Sequence, residues 1–86
     1  KLCYQGNMVD RTQTGVRIAT PLLKVLKGLA EYKDMTLGDL LEGIVLHSFE
    51  GEQPFSEETR EVIEQFRSIY GLELTAKDSH MTGAEA

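Results

Sequence analysis

Three stretches of the chain repeat apolar residues at the spacing of an amphipathic helix. The first covers about residues 21–33, where Leu22, Leu26 and Leu29 form the stripe. The second covers about residues 37–49 and is apolar on nearly all sides, so we expect it to be the most buried helix of the assembly. The third covers about residues 57–70 and carries charges of alternating sign opposite its apolar face.

Capping residues define where these helices begin and end. Thr20 is expected to be the N-cap of the first helix, with Pro21 at its first position. Thr36 and Ser56 are expected to cap the second and third helices, because their side-chain oxygens can accept bonds from unpaired N–H groups. Gly71 is the expected C-cap of the third helix.

Glycines inside the first two helices predict close contacts. A glycine within a helix costs about 1 kcal/mol relative to alanine. Gly28, Gly38 and Gly43 are therefore expected where another element approaches the helix closely. For Gly28 the alternative is equally weighted: the helix tolerates the glycine, and it has no packing role.

A short alternating segment precedes the first helix and predicts a β-strand. Val16, Ile18 and Thr20 fall on one face of this strand. The other face carries Gln13, Gly15, Arg17 and Ala19. Because an isolated strand leaves its backbone groups unpaired, we expect it to pair antiparallel with the same strand of a second copy.

Such a two-stranded ribbon fits the major groove of DNA. Arginine there can bind guanine and glutamine can bind adenine, which makes Arg17 and Gln13 candidate base readers. The start of the second helix, at Thr36 and Leu37, offers backbone N–H groups and a positive dipole end to a phosphate. Lys24, on the first helix, is a further candidate phosphate ligand.

The order of strand, proline-started helix, turn and threonine-capped helix over residues 13–49 resembles the ribbon-helix-helix DNA-binding proteins. The pieces PLLKVLKGL and LLEGIVLHSFEG are similar to the methionine repressor branch. This resemblance implies an intertwined homodimer that reads bases through Gln13, Gly15 and Arg17. The expected dimer core consists of Val16, Ile18, Leu22, Leu26, Leu40, Leu41, Ile44 and Val45.

The predicted organisation is a mainly α, ribbon-helix-helix fold with a third, C-terminal helix. An N-terminal arm covers residues 1–12 and the ribbon-helix-helix core covers residues 13–49. The third helix and a return segment cover residues 50–74, and residues 75–86 are expected to form a flexible tail. With only 86 residues, a single-chain core is thin, which again favours an oligomer.

Charge is divided unequally along the chain. The net charge of −5 argues against nucleic acid when taken as a whole. Residues 1–35, however, carry six lysines and arginines against three acids, whereas residues 36–86 carry three against eleven. A basic end can therefore face DNA while the acidic end faces away, since screening limits each charge to about 8–10 Å.

The sequence contains no recognisable catalytic or metal-binding motif, so we expect neither an enzyme nor a cofactor. His47 has no second ligand at helical spacing and is interpreted as a packed or boundary residue. Cys3 has no partner for an internal disulfide, and residues 1–20 lack the pattern of a signal peptide. No apolar run is long enough to cross a membrane, and we expect a cytoplasmic protein.

Three functional hypotheses follow. The first is a repressor-like regulator that binds double-stranded DNA as a homodimer. The second is a dimerisation or adaptor module, such as an antitoxin, that binds a protein partner through its acidic helices without DNA. The third is a monomeric three-helix bundle whose extended lead-in pairs with nothing.

Overall fold

A computed structural model describes residues 9–80. Within this range the chain forms three α-helices: α1 at Thr20–Lys33, α2 at Leu37–Phe49 and α3 at Glu57–Tyr70. A short 3-10 helix follows at Ala76–His80. The three helices agree with the periodicity of the sequence to within one residue at each end, because apolar spacing and capping are both local properties of the chain.

The helix ends confirm most of the predicted caps. The Thr36 hydroxyl accepts a hydrogen bond from the Asp39 backbone N–H at 3.0 Å, and the Ser56 hydroxyl accepts one from Thr59 at 3.2 Å. Gly71 ends α3 with a left-handed backbone at φ 70°. The prediction for α1 is wrong, since Ala19 is the N-cap residue and no side chain caps this helix.

The predicted ribbon is also wrong. Residues 9–80 contain no β-strand, and residues 10–19 form neither helix nor strand. Within the described chain no second extended segment pairs with them, and Val16 is 72% exposed rather than packed on the helices. The ribbon-helix-helix class, with its intertwined strands, is therefore corrected to three helices preceded by an irregular lead-in segment, residues 9–19.

The core lies where α1 meets both other helices. Its central residues are Leu29 and Ala30 of α1 and Leu40 of α2. Partly buried side chains complete it from several elements: Leu26, Ile44, Phe55, Val62 and Ile63. The helix α1 packs chiefly against α3 and less extensively against α2, whereas α2 and α3 have no backbone packing of their own within the described residues.

Close packing of α1 on α3 explains one of the predicted glycines. A Cβ atom at Gly28 would lie 3.1 Å from the ring of Phe66, so the prediction of a close approach is confirmed there. Gly38 and Gly43 have no neighbouring atom within 4 Å of such a Cβ. A side chain at either glycine would meet open space, so the predicted close approach is wrong there within the described chain.

None of the helices in residues 9–80 has the length and apolar character needed to cross a bilayer.

Replacing Leu29 with alanine tests the importance of this small core. Leu29 is 1% exposed, so Leu29→Ala should lower the free energy of unfolding by about 2–5 kcal/mol through lost burial and a residual cavity. Ile69→Ala is the matched control, because Ile69 is 68% exposed and its truncation should change stability little. Urea unfolding followed by circular dichroism measures both, and equal losses would contradict the assigned core.

Candidate interaction surface

The helix α2 carries apolar residues on two sides, roughly 120° apart around its axis, and α1 covers only one of them. At about 100° per residue, Leu40 and Ile44 project together from the side that packs on α1. Leu41, Val45 and Phe49 follow one another at four-residue intervals and project from the other side. Leu40 is the single fully buried residue of α2, so the expectation that this helix is the most buried element is not met by one chain.

The side of α2 turned away from the core is an exposed apolar surface. Phe49 is 80% exposed, Leu46 is 59% exposed and Val45 is 43% exposed. Leu41, half-buried, lies one turn before Val45. We call these four residues of α2 the outer face; a contiguous apolar strip of this kind marks an interaction site more often than single exposed side chains do.

The lead-in segment extends this surface. Val9, 56% exposed, lies beside α2 and lines a shallow groove of about 490 Å³ together with Leu41, Val45 and Leu46. Arg11 and Glu42 form the polar edge of the same groove. The groove is thus apolar along its length and charged at one edge, which is the arrangement typical of protein and peptide sites.

A bidentate ion pair holds the lead-in segment on α2. Arg11 donates from Nε to one carboxylate oxygen of Glu42 and from Nη2 to the other, each at 3.0 Å. This two-bond geometry is the strong form of the arginine–carboxylate contact. The hydrogen bond from Arg11 lowers the pKa of Glu42, and Glu42 in turn raises the pKa of Arg11. Both side chains are solvent-accessible, so salt weakens the pair.

The residues predicted to read DNA bases lie on the lead-in segment. Gln13, Gly15 and Arg17 are all exposed. Because residues 9–80 contain no strand, these three residues are not arranged on a ribbon. Their proposed contact with DNA stays a prediction.

The predicted phosphate ligands lie at the starts of α1 and α2. Lys24 is exposed on α1. Thr36 is exposed, and its hydroxyl already accepts the Asp39 N–H, while Leu37 is half-buried. The Asp39 carboxylate also stands in the first turn of α2, where it offsets the positive end of the helix dipole that would attract a phosphate.

The predicted dimer-core residues divide between the inside and the outside of the chain. Leu40 is buried in the single-chain core. Four others are half-buried: Ile18, Leu26, Leu41 and Ile44. The remaining three expose 37% or more of their surface: Val16, Leu22 and Val45. One chain alone therefore satisfies part of the predicted core and leaves the rest in solvent.

His47 and the acids of α3 are ionisable residues outside the outer face. No group of three or more metal-ligating side chains occurs in residues 9–80. His47 places its ring nitrogen Nδ1 2.7 Å from the carbonyl oxygen of Gly43, four residues earlier in the same helix. The acids of α3 are exposed and interspersed with arginines, as the alternating charges indicated.

Sequence reasoning missed three members of the interaction surface: Val9, Leu46 and Phe49. The signal for the last two was present, because α2 is apolar on nearly all sides, and an apolar face that one chain cannot cover remains for a second chain. Val9 carried no such signal. Its placement depends on the pairing of Arg11 with Glu42, which are 31 residues apart in sequence.

Comparisons with family models, with curated proteins and with solved structures found no match to this chain.

Neutralising Glu42 should release the lead-in segment from α2. In Glu42→Gln the arginine loses its charged acceptor, so the backbone of residues 9–12 should become more mobile, with lower amide order parameters, while the helices stay ordered. Because the pKa of Glu42 is lowered in the folded chain, the attachment is complete at neutral pH and is lost as the pH falls through that lowered value. In the wild type the lead-in segment should therefore detach from α2 as the pH falls. In Glu42→Gln the mobility of the segment should not change with pH in this way.

Nuclear magnetic resonance of the amide groups measures this effect. Glu64→Gln is the control, since Glu64 pairs with Arg67 at 3.8 Å on α3 and has no contact with the lead-in segment. Equal loosening in both variants would show that the Arg11–Glu42 pair does not hold the segment.

Proposed function

We propose that this chain is a helical interaction module that binds another polypeptide through the outer face of α2. The observation that carries the proposal is the 80% exposure of Phe49 at the end of a strip that also exposes Val45 and Leu46. Leaving large apolar side chains in water forgoes about 25 cal/mol for each Å² that a partner would cover. Burying this strip is therefore a favourable source of binding free energy.

The composition of the surface supports a protein partner. Interfaces concentrate aromatic and aliphatic residues at their centre and place charged groups at the rim. In the outer face the apolar side chains are contiguous, and the Arg11–Glu42 pair lies at one edge of the groove that Leu41, Val45 and Leu46 line. Phe49 is the expected anchor, because binding energy usually concentrates in a few large side chains.

Capture of partner chains from cells that express the protein tests this function. Tagged wild type should retain its partner chains, which are untagged copies of the protein if the partner is a second copy. Phe49→Asp should fail to retain them, because binding would remove the aspartate from water without supplying a counterion. Ile69→Asp is the control, since Ile69 is 68% exposed on α3, outside the outer face. A purified, identified partner must then bind wild type and Ile69→Asp directly. Equal capture by all three proteins would contradict the proposal.

Binding of nucleic acid is a second candidate, and the distribution of positive charge supports it. Arg17, Lys24 and Lys27 are exposed along the lead-in segment and the solvent side of α1. Exposed cations on the lead-in segment and on α1 can contact phosphates without base recognition, and such binding weakens steeply with added salt. The acidic remainder of the chain opposes it, which is why we place it second.

Fluorescence anisotropy with a labelled DNA duplex at low salt tests the second candidate. Arg17→Ala and Lys24→Ala should each weaken binding and reduce its dependence on salt, because each removes one phosphate contact. Arg60→Ala, an exposed position on the acidic α3, is the control and should have no effect. Binding that is absent in wild type, or equal in all variants, would eliminate this candidate.

A further inference from the structure

We infer that the partner of the outer face is a second copy of this chain, packed with its α2 antiparallel to the first around a two-fold axis near Val45. This inference rests on the proposed function of the outer face and names its occupant. It concerns helix-to-helix packing and requires no strand pairing.

The outer face is complementary to itself. It combines a projecting ring, Phe49, with a groove lined by Val9, Leu41 and Val45. In an antiparallel pair centred on Val45, positions equally distant from the centre face each other across the axis. Phe49 then lies opposite Leu41 of the second copy, four residues on the other side of the centre. Each ring therefore meets the groove of the other chain, and the same contact occurs twice, as a two-fold interface requires.

Gly38 permits the two α2 helices to approach each other closely. Gly38 lies on the outer side of α2, one turn before Leu41, and has no atom within 4 Å of a Cβ position. A position without a side chain and without a neighbour in its own chain leaves room for side chains of a facing helix. This contact would give Gly38 the close approach that the single chain does not provide.

The charges at the interface are compatible with this arrangement. Glu42 is the acid at the edge of the groove, and its charge is already paired with Arg11. Because Glu42 lies three residues from Val45, the two copies of Glu42 lie on opposite sides of the centre along the helix, so no carboxylate meets another across the axis. The Arg11–Glu42 pair then lies beside the C-terminal turn of the opposite α2, where the helix dipole and Glu50 are negative and favour the arginine.

The size of the core favours association as well. In residues 9–80 the buried apolar residues number five: Val25, Leu29, Ala30, Leu40 and Leu72. A chain of 86 residues is at the lower end of the range that folds without assistance. Joining two outer faces adds a second apolar layer on the exposed side of α2, so the helix would be packed on both of its apolar sides.

The first measurement is molecular mass in solution, by light scattering and sedimentation across a wide range of protein concentration. Wild type should have twice the 9.6 kDa mass of one chain. Phe49→Asp and Leu46→Asp should raise the dissociation constant by at least about tenfold, since each buries a charge within the apolar contact. Ile69→Asp, with a similarly exposed apolar residue outside the contact, should remain dimeric. Circular dichroism confirms that each variant is folded.

The second measurement determines the direction of the helices. In a Cys3→Ser background, Leu41→Cys and Phe49→Cys chains are mixed and treated with a short bismaleimide. Antiparallel packing predicts that mixed pairs cross-link and that neither protein cross-links efficiently with itself, because its two thiols lie at opposite ends of the contact. A Val45→Cys chain should cross-link with itself, and Ile69→Cys should not.

The outcomes separate this inference from the proposed function. A folded wild-type monomer at all concentrations overturns the second-copy inference, as does a dimer that persists unchanged in Phe49→Asp and Leu46→Asp. Self-cross-linking of Leu41→Cys in preference to the mixed pair overturns the antiparallel arrangement. In each case, if an identified protein other than this chain still binds wild type and not Phe49→Asp, the proposed function stands. A dimer with the predicted mass, variants and cross-links supports the inference.

Discussion

The structure depends on one constraint: α2 is apolar on two sides, and the other helices of the described chain cover only one of them. The helix α1 takes up Leu40 and Ile44 from the inner side. The third helix packs chiefly on α1 and does not cover the outer side of α2. The outer face of α2 therefore remains in solvent, and the exposure of Phe49 is a direct consequence.

The lead-in segment lies against the outer side of α2 but leaves most of its apolar surface exposed. Through the Arg11–Glu42 pair it lies against α2 and places Val9 at the groove. An ion pair between exposed groups holds a segment in place but buries little apolar area. The segment thus shapes the outer face and supplies its charged edge, while the large side chains Leu46 and Phe49 stay uncovered.

This arrangement relates the functional hypotheses to one another. Strand pairing was expected to create both the dimer and the DNA-reading surface, and the absence of a strand in residues 9–80 removes that common origin. Association through α2 needs only the side chains of a helix that is present. Contact with DNA, in contrast, would depend on the exposed cations of the lead-in segment and α1, which act independently of the outer face.

The sequence by itself determined the positions of the helices, because apolar periodicity and caps such as Thr36 and Ser56 act over a few residues. It also indicated the close approach at Gly28 and the presence of too much apolar surface on α2. Only the tertiary structure decided which side of α2 faces outward, that Arg11 pairs with Glu42, and that residues 10–19 form no strand. These features depend on contacts between residues distant in sequence, and alternation in a short segment such as Val16 to Thr20 cannot supply the partner that a strand needs.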